Sequence, residues 1–374
     1  MTHQPTVEKP RQRLVYLDNL RVALTVLVVA HHVALAYGNL GLWPNWQEPT
    51  QMLEAAPLDV FVLLNQAYFM GMFFLLSGYF VPGSADRNGE RSFVIDRLRR
   101  LGIPLLAFLL LLRPLYTLPR YLGLPAAERP PYGEFYLTST DIGPIWFLAV
   151  LLGLSLVYAV VRRWRGTPAA ASQTSVRAWQ IIAFAIALAS VSYLWRIIVP
   201  NGSIVLGIPS AAYLPQYIVL FIVGILAARR GWLTALPRRS GMLGAALIVV
   251  SFLPMVLGGY ETLGVGVAVP APGTPAHLAF ALWDQLFAVG MILVLLTIFR
   301  RRVTTGGSFS QFLAGSAYAV YLVHAPIIVG FVALLVPLAP SPLSGFAVTL
   351  PLSLVASWVV AAWLRRLPWA RSIL

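Results

Sequence analysis

Apolar residues run along this chain in long blocks, separated by short polar segments rich in proline, glycine or arginine. A helix crossing a hydrocarbon layer roughly 30 Å thick needs about 20 such residues. About ten blocks of roughly that length qualify. They cover residues 15–37, 59–81, 101–118, 144–162, 178–199, 211–229, 241–260, 277–299, 311–336 and 343–364. The pattern predicts an all-α integral membrane protein, a bundle of about ten transmembrane helices.

Composition agrees. Hydrophobic residues make up 59% of the 374 and charged residues only 11%, and the mean hydropathy is +0.77. The blocks fill the chain so evenly that residues 1–374 read as a single membrane-embedded domain, with a short basic segment at 1–13 and a tail at 366–374. The first block is longer than a signal-peptide core and holds Asp18, Arg21, His31 and His32, so it is expected to stay as a span.

A net charge of +14 would fit nucleic-acid binding if the basic residues shared one polar face. They sit instead in clusters before the first block and after the second, fourth, sixth, eighth and tenth. The intervening loops hold only Arg120 and Arg129 among six acidic residues. Short cytoplasmic loops collect Lys and Arg, so both termini are expected in the cytoplasm, and no nucleic-acid partner is implied. The chain has no cysteine, which excludes a thiolate nucleophile, a disulfide and a cysteine-ligated metal. It also lacks G-x-x-x-x-G-K-[ST], H-E-x-x-H and G-x-S-x-G, so ATP hydrolysis, zinc proteolysis and esterase chemistry find no support.

Charged and imidazole side chains inside the blocks are the candidates for chemistry, because a charge near the bilayer centre costs about 2.5–3.5 kcal/mol on insertion scales. Arg21 and His32 are eleven positions apart. On a helix this leaves them about 20° apart around the axis and about 16 Å apart along it, while His31 points about 80° away from Arg21. His32 is therefore the histidine expected to line an interior passage with Arg21, and its imidazole is the natural general base there. Asp18 is placed to pair locally with Arg21, and the histidines to hydrogen-bond neighbouring helices; those readings stand beside the catalytic one. Asp284 and His324 are further buried candidates, either to orient His32, to contact substrate or to tie helices together. Arg113 and Arg196 fall near span ends, where snorkelling is expected.

Arg97 and Arg100 are spaced i, i+3 on the segment leading into the third block, so two guanidiniums project from one face and suit phosphate oxygens. An arginine-rich cytoplasmic loop needs no such role. Trp43, Trp46, Trp146 and Tyr136 lie in or near external loops, where anchoring at the interface or stacking on sugars is expected.

Four stretches together resemble the membrane-bound acyltransferase family 3. They are "LDNLRVALTVLVVAHH", "FFLLSGYF", "DRLRRLGIP" and "YLVHAP", the last beginning at Tyr321. The resemblance implies transfer of an acyl group, commonly acetyl from cytoplasmic acetyl-CoA, to a hydroxyl of a carbohydrate or other acceptor at or beyond the membrane. Succinyl is the alternative suggested by a looser likeness to the glucan-modifying branch. By the same resemblance the essential arginine and histidine of the first span fall on Arg21 and His32, and the R-x-x-R arginines on Arg97 and Arg100.

Secondary positions are Asp18, His31, Asp284, Tyr321 and His324. Acyl-CoA is then a donor substrate, with no metal and no permanently bound cofactor. Membrane lipid surrounds the protein, and a homo-oligomer is left open. The location implied is a bacterial inner (cell) membrane, crossed many times. His32 would deprotonate the acceptor, either for direct transfer or through an acyl-histidine. No C-terminal hydrolase-like domain like that of fused relatives is expected, so any final transfer by such a domain would need a separate partner. The rival reading is a proton-coupled transporter or flippase in which Arg21, His32, Asp284 and His324 form a path.

Overall fold

A computed structural model of the chain describes residues 14–40, 52–139, 142–166, 174–233, 235–237, 239–258, 270–371 and 373. Among them helices dominate and no β-strand occurs. In order they are α1 (Val15–Tyr37), α2 (Met52–Arg97), α3 (Ile103–Ala107), α4 (Arg113–Leu122), α5 (Tyr132–Thr138), α6 (Trp146–Arg165) and α7 (Ala178–Ile198). There follow α8 (Leu214–Arg230), α9 (Ser240–Ser251), α10 (Leu253–Gly258), α11 (Pro275–Arg302), α12 (Ser308–Leu335), α13 (Pro342–Leu364) and α14 (Pro368–Arg371). Wide π turns at Leu98–Gly102 and Phe108–Leu112 join α2 to α3 and α3 to α4.

Local chemistry sets several boundaries. Proline opens α11 and α13, where the missing N–H would have had no intrahelical partner. The Thr274 side chain caps α11 by accepting from the His277 backbone N–H at 3.2 Å. Gly231 ends α8 in the left-handed conformation, with φ 67°.

Each of the ten predicted ranges holds a helix, but by length and composition eight helices among the described residues qualify as membrane crossings. The difference has two physical causes. Helix continues from Leu53 to Leu122, 70 residues, which would extend about 105 Å if straight. Gly89 breaks it with φ 74° and ψ 165°, a backbone open to glycine and strained for other residues. Across that break the Arg97 guanidinium donates to Ser84 Oγ at 3.3 Å, whereas a straight helix would hold the two residues about 20 Å apart. The chain doubles back at Gly89, and two of the predicted spans flank this turn. The seventh predicted span is divided between α9, whose 12 residues reach only about 18 Å, and the short α10 that follows it.

Glycine allows the closest helix crossings. A Cβ at Gly78 would lie 2.1 Å from the Phe221 carbonyl oxygen, and one at Gly224 would lie 2.1 Å from that of Leu75. The backbones of α2 and α8 therefore touch at these positions, the small-residue contact that membrane helices favour where apolar burial gives no drive. Gly244 and Gly290 do the same for α9 and α11.

α1 and α11 have 67% and 61% of their apolar windows buried, against 28% for α7 and α13. Polar groups on α1 and α11 accordingly meet protein more than lipid. α1 packs among α2, α11, α12 and α13. The arginine-bearing segments converge on one end of the bundle. There Arg162 and Arg229 both grip Asp86, Arg300 donates to the Leu236 carbonyl at 3.2 Å, and Asn19 donates to that of Val303 at 3.0 Å.

Three expectations drawn from span ends are corrected. Arg196 does not snorkel; it is fully buried, and Nη2 meets Asp284 Oδ2 at 2.5 Å. Arg113 is also buried, donating to the carbonyls of Tyr136 at 3.1 Å and Ser139 at 2.5 Å while lying over the Tyr136 ring. Each guanidinium therefore finds protein partners within reach of its span end. Trp146 is buried rather than interfacial, its ring stacked 5.3 Å from that of Tyr217. Trp43, Trp46 and the 1–13 segment lie outside the described residues.

Candidate active site

α1 and α12 bring together two histidines that are 292 positions apart in sequence. His32 Nδ1 lies 2.8 Å from the Val28 carbonyl oxygen one turn back on α1. The same nitrogen is 3.3 Å from His324 Nε2, with ring centroids 4.9 Å apart. His324 Nδ1 in turn lies 2.6 Å from the Tyr321 carbonyl oxygen.

These neighbours assign the protons. A carbonyl only accepts, so His324 carries its hydrogen on Nδ1 and its neutral ring offers a lone pair at Nε2. His32 Nδ1 faces both that lone pair and the Val28 oxygen, so it too must be the protonated nitrogen. The basic lone pair of neutral His32 is therefore on Nε2. Such an imidazole is set to take a proton there while its other edge stays anchored.

His31 does not join this pair. It is buried on the α2 side of α1, with Nδ1 3.4 Å from Asn65 Nδ2 and its ring 4.8 Å from that of Phe69. The helical-face geometry that separated the two histidines holds. Arg21 pairs with Asp18 and lies 5.4 Å from the centre of the Phe80 ring. Its side chain is 44% exposed, and about three helical turns separate it from His32.

The R-x-x-R arginines lie at the basic end, just after the Gly89 turn. Asp96 sits between them, 2.7 Å from Arg100 Nε and 3.7 Å from Arg97 Nη2. Arg97 also lies over the Phe93 ring, at 5.1 Å from its centre. The Tyr318 hydroxyl donates to the Arg100 carbonyl, and the Tyr321 hydroxyl donates to that of Pro144. Tyr318, Tyr321 and His324 are spaced i, i+3, i+6 on α12, one stripe rising about 9 Å from the arginines to His32. Tyr318 escaped the sequence reading, although the stripe is visible as "YAVYLVH".

Asp284 stands apart. Its partners are Arg196 and Gln285 Nε2, the latter at 2.9 Å, and Gln285 connects onward to Gln216 at 3.0 Å. This cluster ties α7, α8 and α11, and Gln216 carries it to the Ala67 carbonyl of α2 at 2.8 Å. A path running through Arg21, His32, Asp284 and His324 would need those groups in sequence, and Asp284 is instead committed to Arg196. Asp59 also escaped the sequence reading. It is 2% exposed and accepts from the Asn39 backbone and side-chain N–H groups at 2.8 and 2.7 Å, closing the end of α1.

Residues 14–362 match the profile of a family described as an acyltransferase domain, the acyltransferase 3 family. The chain belongs to this family. Among similar proteins are those named glucans biosynthesis protein C from Escherichia coli O81 (strain ED1a) and Escherichia coli O157:H7. Each is 26% identical over 366 residues, covering 90% of this chain and 88% of the relative. No solved structure matches it. The acyltransferase is thus a multi-pass membrane enzyme, an O-acyltransferase of family 3, and the histidine pair, the R-x-x-R turn and the α12 stripe all lie within the matched residues.

Proposed function

We propose that this acyltransferase moves an acyl group from cytoplasmic acyl-CoA to a hydroxyl of a carbohydrate acceptor at or beyond a bacterial inner membrane. Acetyl is the first candidate and succinyl the second. The observation that carries the reading is the orientation of His32: Nδ1 faces two acceptors, so the basic lone pair of the neutral ring is on Nε2. In this reading the whole chain is one catalytic unit and both termini are cytoplasmic, which puts the arginine-rich end on the donor side.

Arg97 and Arg100 hold the donor phosphates, exchanging the shared Asp96 for oxygens of higher charge. Arg21 supplements them at the mouth. The thioester then lies along the α12 stripe towards His32. His32 Nε2 takes the proton of the acceptor hydroxyl as its oxygen attacks the thioester carbonyl carbon. The new C–O bond forms, the C–S bond breaks, and the departing thiolate recovers the proton from His32, so CoA leaves as the free thiol. The names of the relatives support a glucan as the acceptor class.

The test is calorimetric binding of acetyl-CoA and succinyl-CoA to the purified protein, with thiol release measured in the presence of a gluco-oligosaccharide. Wild type is expected to bind and turn over, Arg97→Ala/Arg100→Ala to lose donor binding by about tenfold or more, and His32→Ala to bind but not turn over. Failure of wild type to bind either donor would overturn the reading.

A further inference from the structure

The two histidines pose a question that a general-base role for His32 leaves open. A base that becomes cationic inside a bilayer protein needs its other nitrogen held, and serine hydrolases solve this with a buried carboxylate. His32 Nδ1 itself meets the Val28 carbonyl and the ring of His324. Asp18, the acidic residue nearest to it on α1, lies fourteen positions away and is paired with Arg21. Asp284 is paired with Arg196. What faces His32 Nδ1 from across the helix interface is His324 Nε2, a nitrogen whose lone pair is fixed by the hydrogen bond from His324 Nδ1 to the Tyr321 carbonyl.

We infer that His324 is the positioning residue of the acyltransferase, a neutral imidazole that fixes the Nδ1–H tautomer of His32 and accepts from it when Nε2 gains the acceptor's proton. The inference rests on the proposed role of His32 as base. The relay reads from the Tyr321 carbonyl through the His324 ring to the His32 ring and then to the acceptor hydroxyl. Only one proton moves, from the acceptor oxygen to His32 Nε2 and then to the departing thiolate; both Nδ1 hydrogens stay in place. A neutral ring in this position adds no second buried charge, which would carry its own desolvation penalty. The 2.8 Å contact of His32 Nδ1 with Val28 is a competing anchor. It belongs to α1 itself, whereas His324 holds the ring from a second helix.

The conservative partner follows from side-chain geometry. Glutamine places its amide oxygen the same number of bonds from Cβ as histidine places Nε2, so His324→Gln keeps an acceptor facing His32, and His324→Leu removes it at similar volume. The experiment uses the full-length protein in lipid nanodiscs with acetyl-CoA and a gluco-oligosaccharide. His324→Leu is expected to lower kcat by about tenfold or more while KM for acetyl-CoA stays within about twofold, and His324→Gln to recover most of the loss. Imidazole nitrogen-15 spectra, with His32 assigned by its loss in His32→Ala, are expected to show a protonated Nδ1 in wild type and a mixture of tautomers in His324→Leu.

Acetyl-CoA binding by the Leu variant separates a folded protein from a collapsed one, and the Gln variant carries the comparison if the Leu variant fails to fold. Full kcat in His324→Leu, or a His32 tautomer unchanged by the substitution, would overturn the inference, with Val28 then the sufficient anchor. If wild type lacks donor binding altogether, the proposed function fails, and the tautomer spectra still decide whether His324 orients His32.

Discussion

The Tyr318 hydroxyl of α12 donates to the backbone carbonyl of Arg100, tying the helix that carries His324 to the turn that carries R-x-x-R. Because the acceptor is backbone, this bond sets where the arginine turn sits without using the guanidinium. Tyr318→Phe removes one hydrogen bond and leaves the ring packing, a loss of about 0.5–1.5 kcal/mol in typical cases. The expected outcome is a KM for acetyl-CoA raised by about two- to tenfold with kcat nearly unchanged, read from steady-state thiol release. A fall in kcat at constant KM would place Tyr318 with the chemistry instead.

The Asp86 carboxylate accepts from Arg229 Nη1 at 2.7 Å and Nη2 at 3.0 Å, and from Arg162 at 2.5 Å. It fastens the segment before Gly89 to the ends of α6 and α8. Partial burial works against the charged carboxylate, but the hydrogen bonds from Arg229 and Arg162 outweigh it and hold Asp86 below the ordinary carboxylate range. A carboxylate so lowered contributes stability that is fully present above its unfolded pKa and is lost as pH falls through the lower folded value. The clamp is therefore expected to be constant from pH 5 to 8 and to weaken only below about pH 4. Asp86→Asn should lower the thermal midpoint of the detergent-solubilised protein in the neutral range. It should also flatten whatever acid dependence the clamp gives wild type, as read by intrinsic fluorescence melting.

Gly78 and Gly224 give a sharper stability test, since each faces a backbone carbonyl that cannot rotate away. Gly78→Val or Gly224→Val must part α2 from α8, and overpacking of this kind costs about 1–3 kcal/mol or more. Gly330→Ala is the control, for a Cβ there meets nothing within 4 Å. The two valine variants should express poorly or melt early, and Gly330→Ala should behave as wild type in size-exclusion profiles and melting.

How far the sequence reaches depends on whether a feature is local. The angle between His31 and His32 follows from helix geometry alone, so the different surroundings of the two rings were legible. So was the Asp18–Arg21 pair, three positions apart. Contact of His32 with His324 is set by the packing of α1 on α12, and nothing within either helix announces it. Arg196 looked like a snorkelling residue because its span ends nearby; Asp284, on a helix 88 positions away, is what lets it stay buried. The reversal at Gly89 was legible as a polar loop, but the helical turns that run on through it are a tertiary detail. The break at Phe252 that parts α9 from α10 is likewise not announced by the apolar run around it.

The Arg196–Asp284 pair is the last relationship with a measurable consequence. Both side chains are fully buried, and Arg196 lies over the Tyr213 ring at 4.4 Å and the Phe280 ring at 5.7 Å. Removing one partner of such a pair strands a buried charge, which costs about 3–5 kcal/mol. Arg196→Leu and Asp284→Leu should each destabilise the protein strongly. Replacing both by leucine removes the stranded charge, and buried pairs exchanged for apolar residues are commonly neutral or better. The double variant is therefore expected to melt higher than either single one, with a coupling energy of the same order as the single losses. Because the pair ties helices away from His32, the double variant should also keep measurable thiol release from acetyl-CoA. If instead the double variant is folded but inactive, the buried pair belongs to the reaction path, and the separation between structural and catalytic charges drawn from its geometry is wrong.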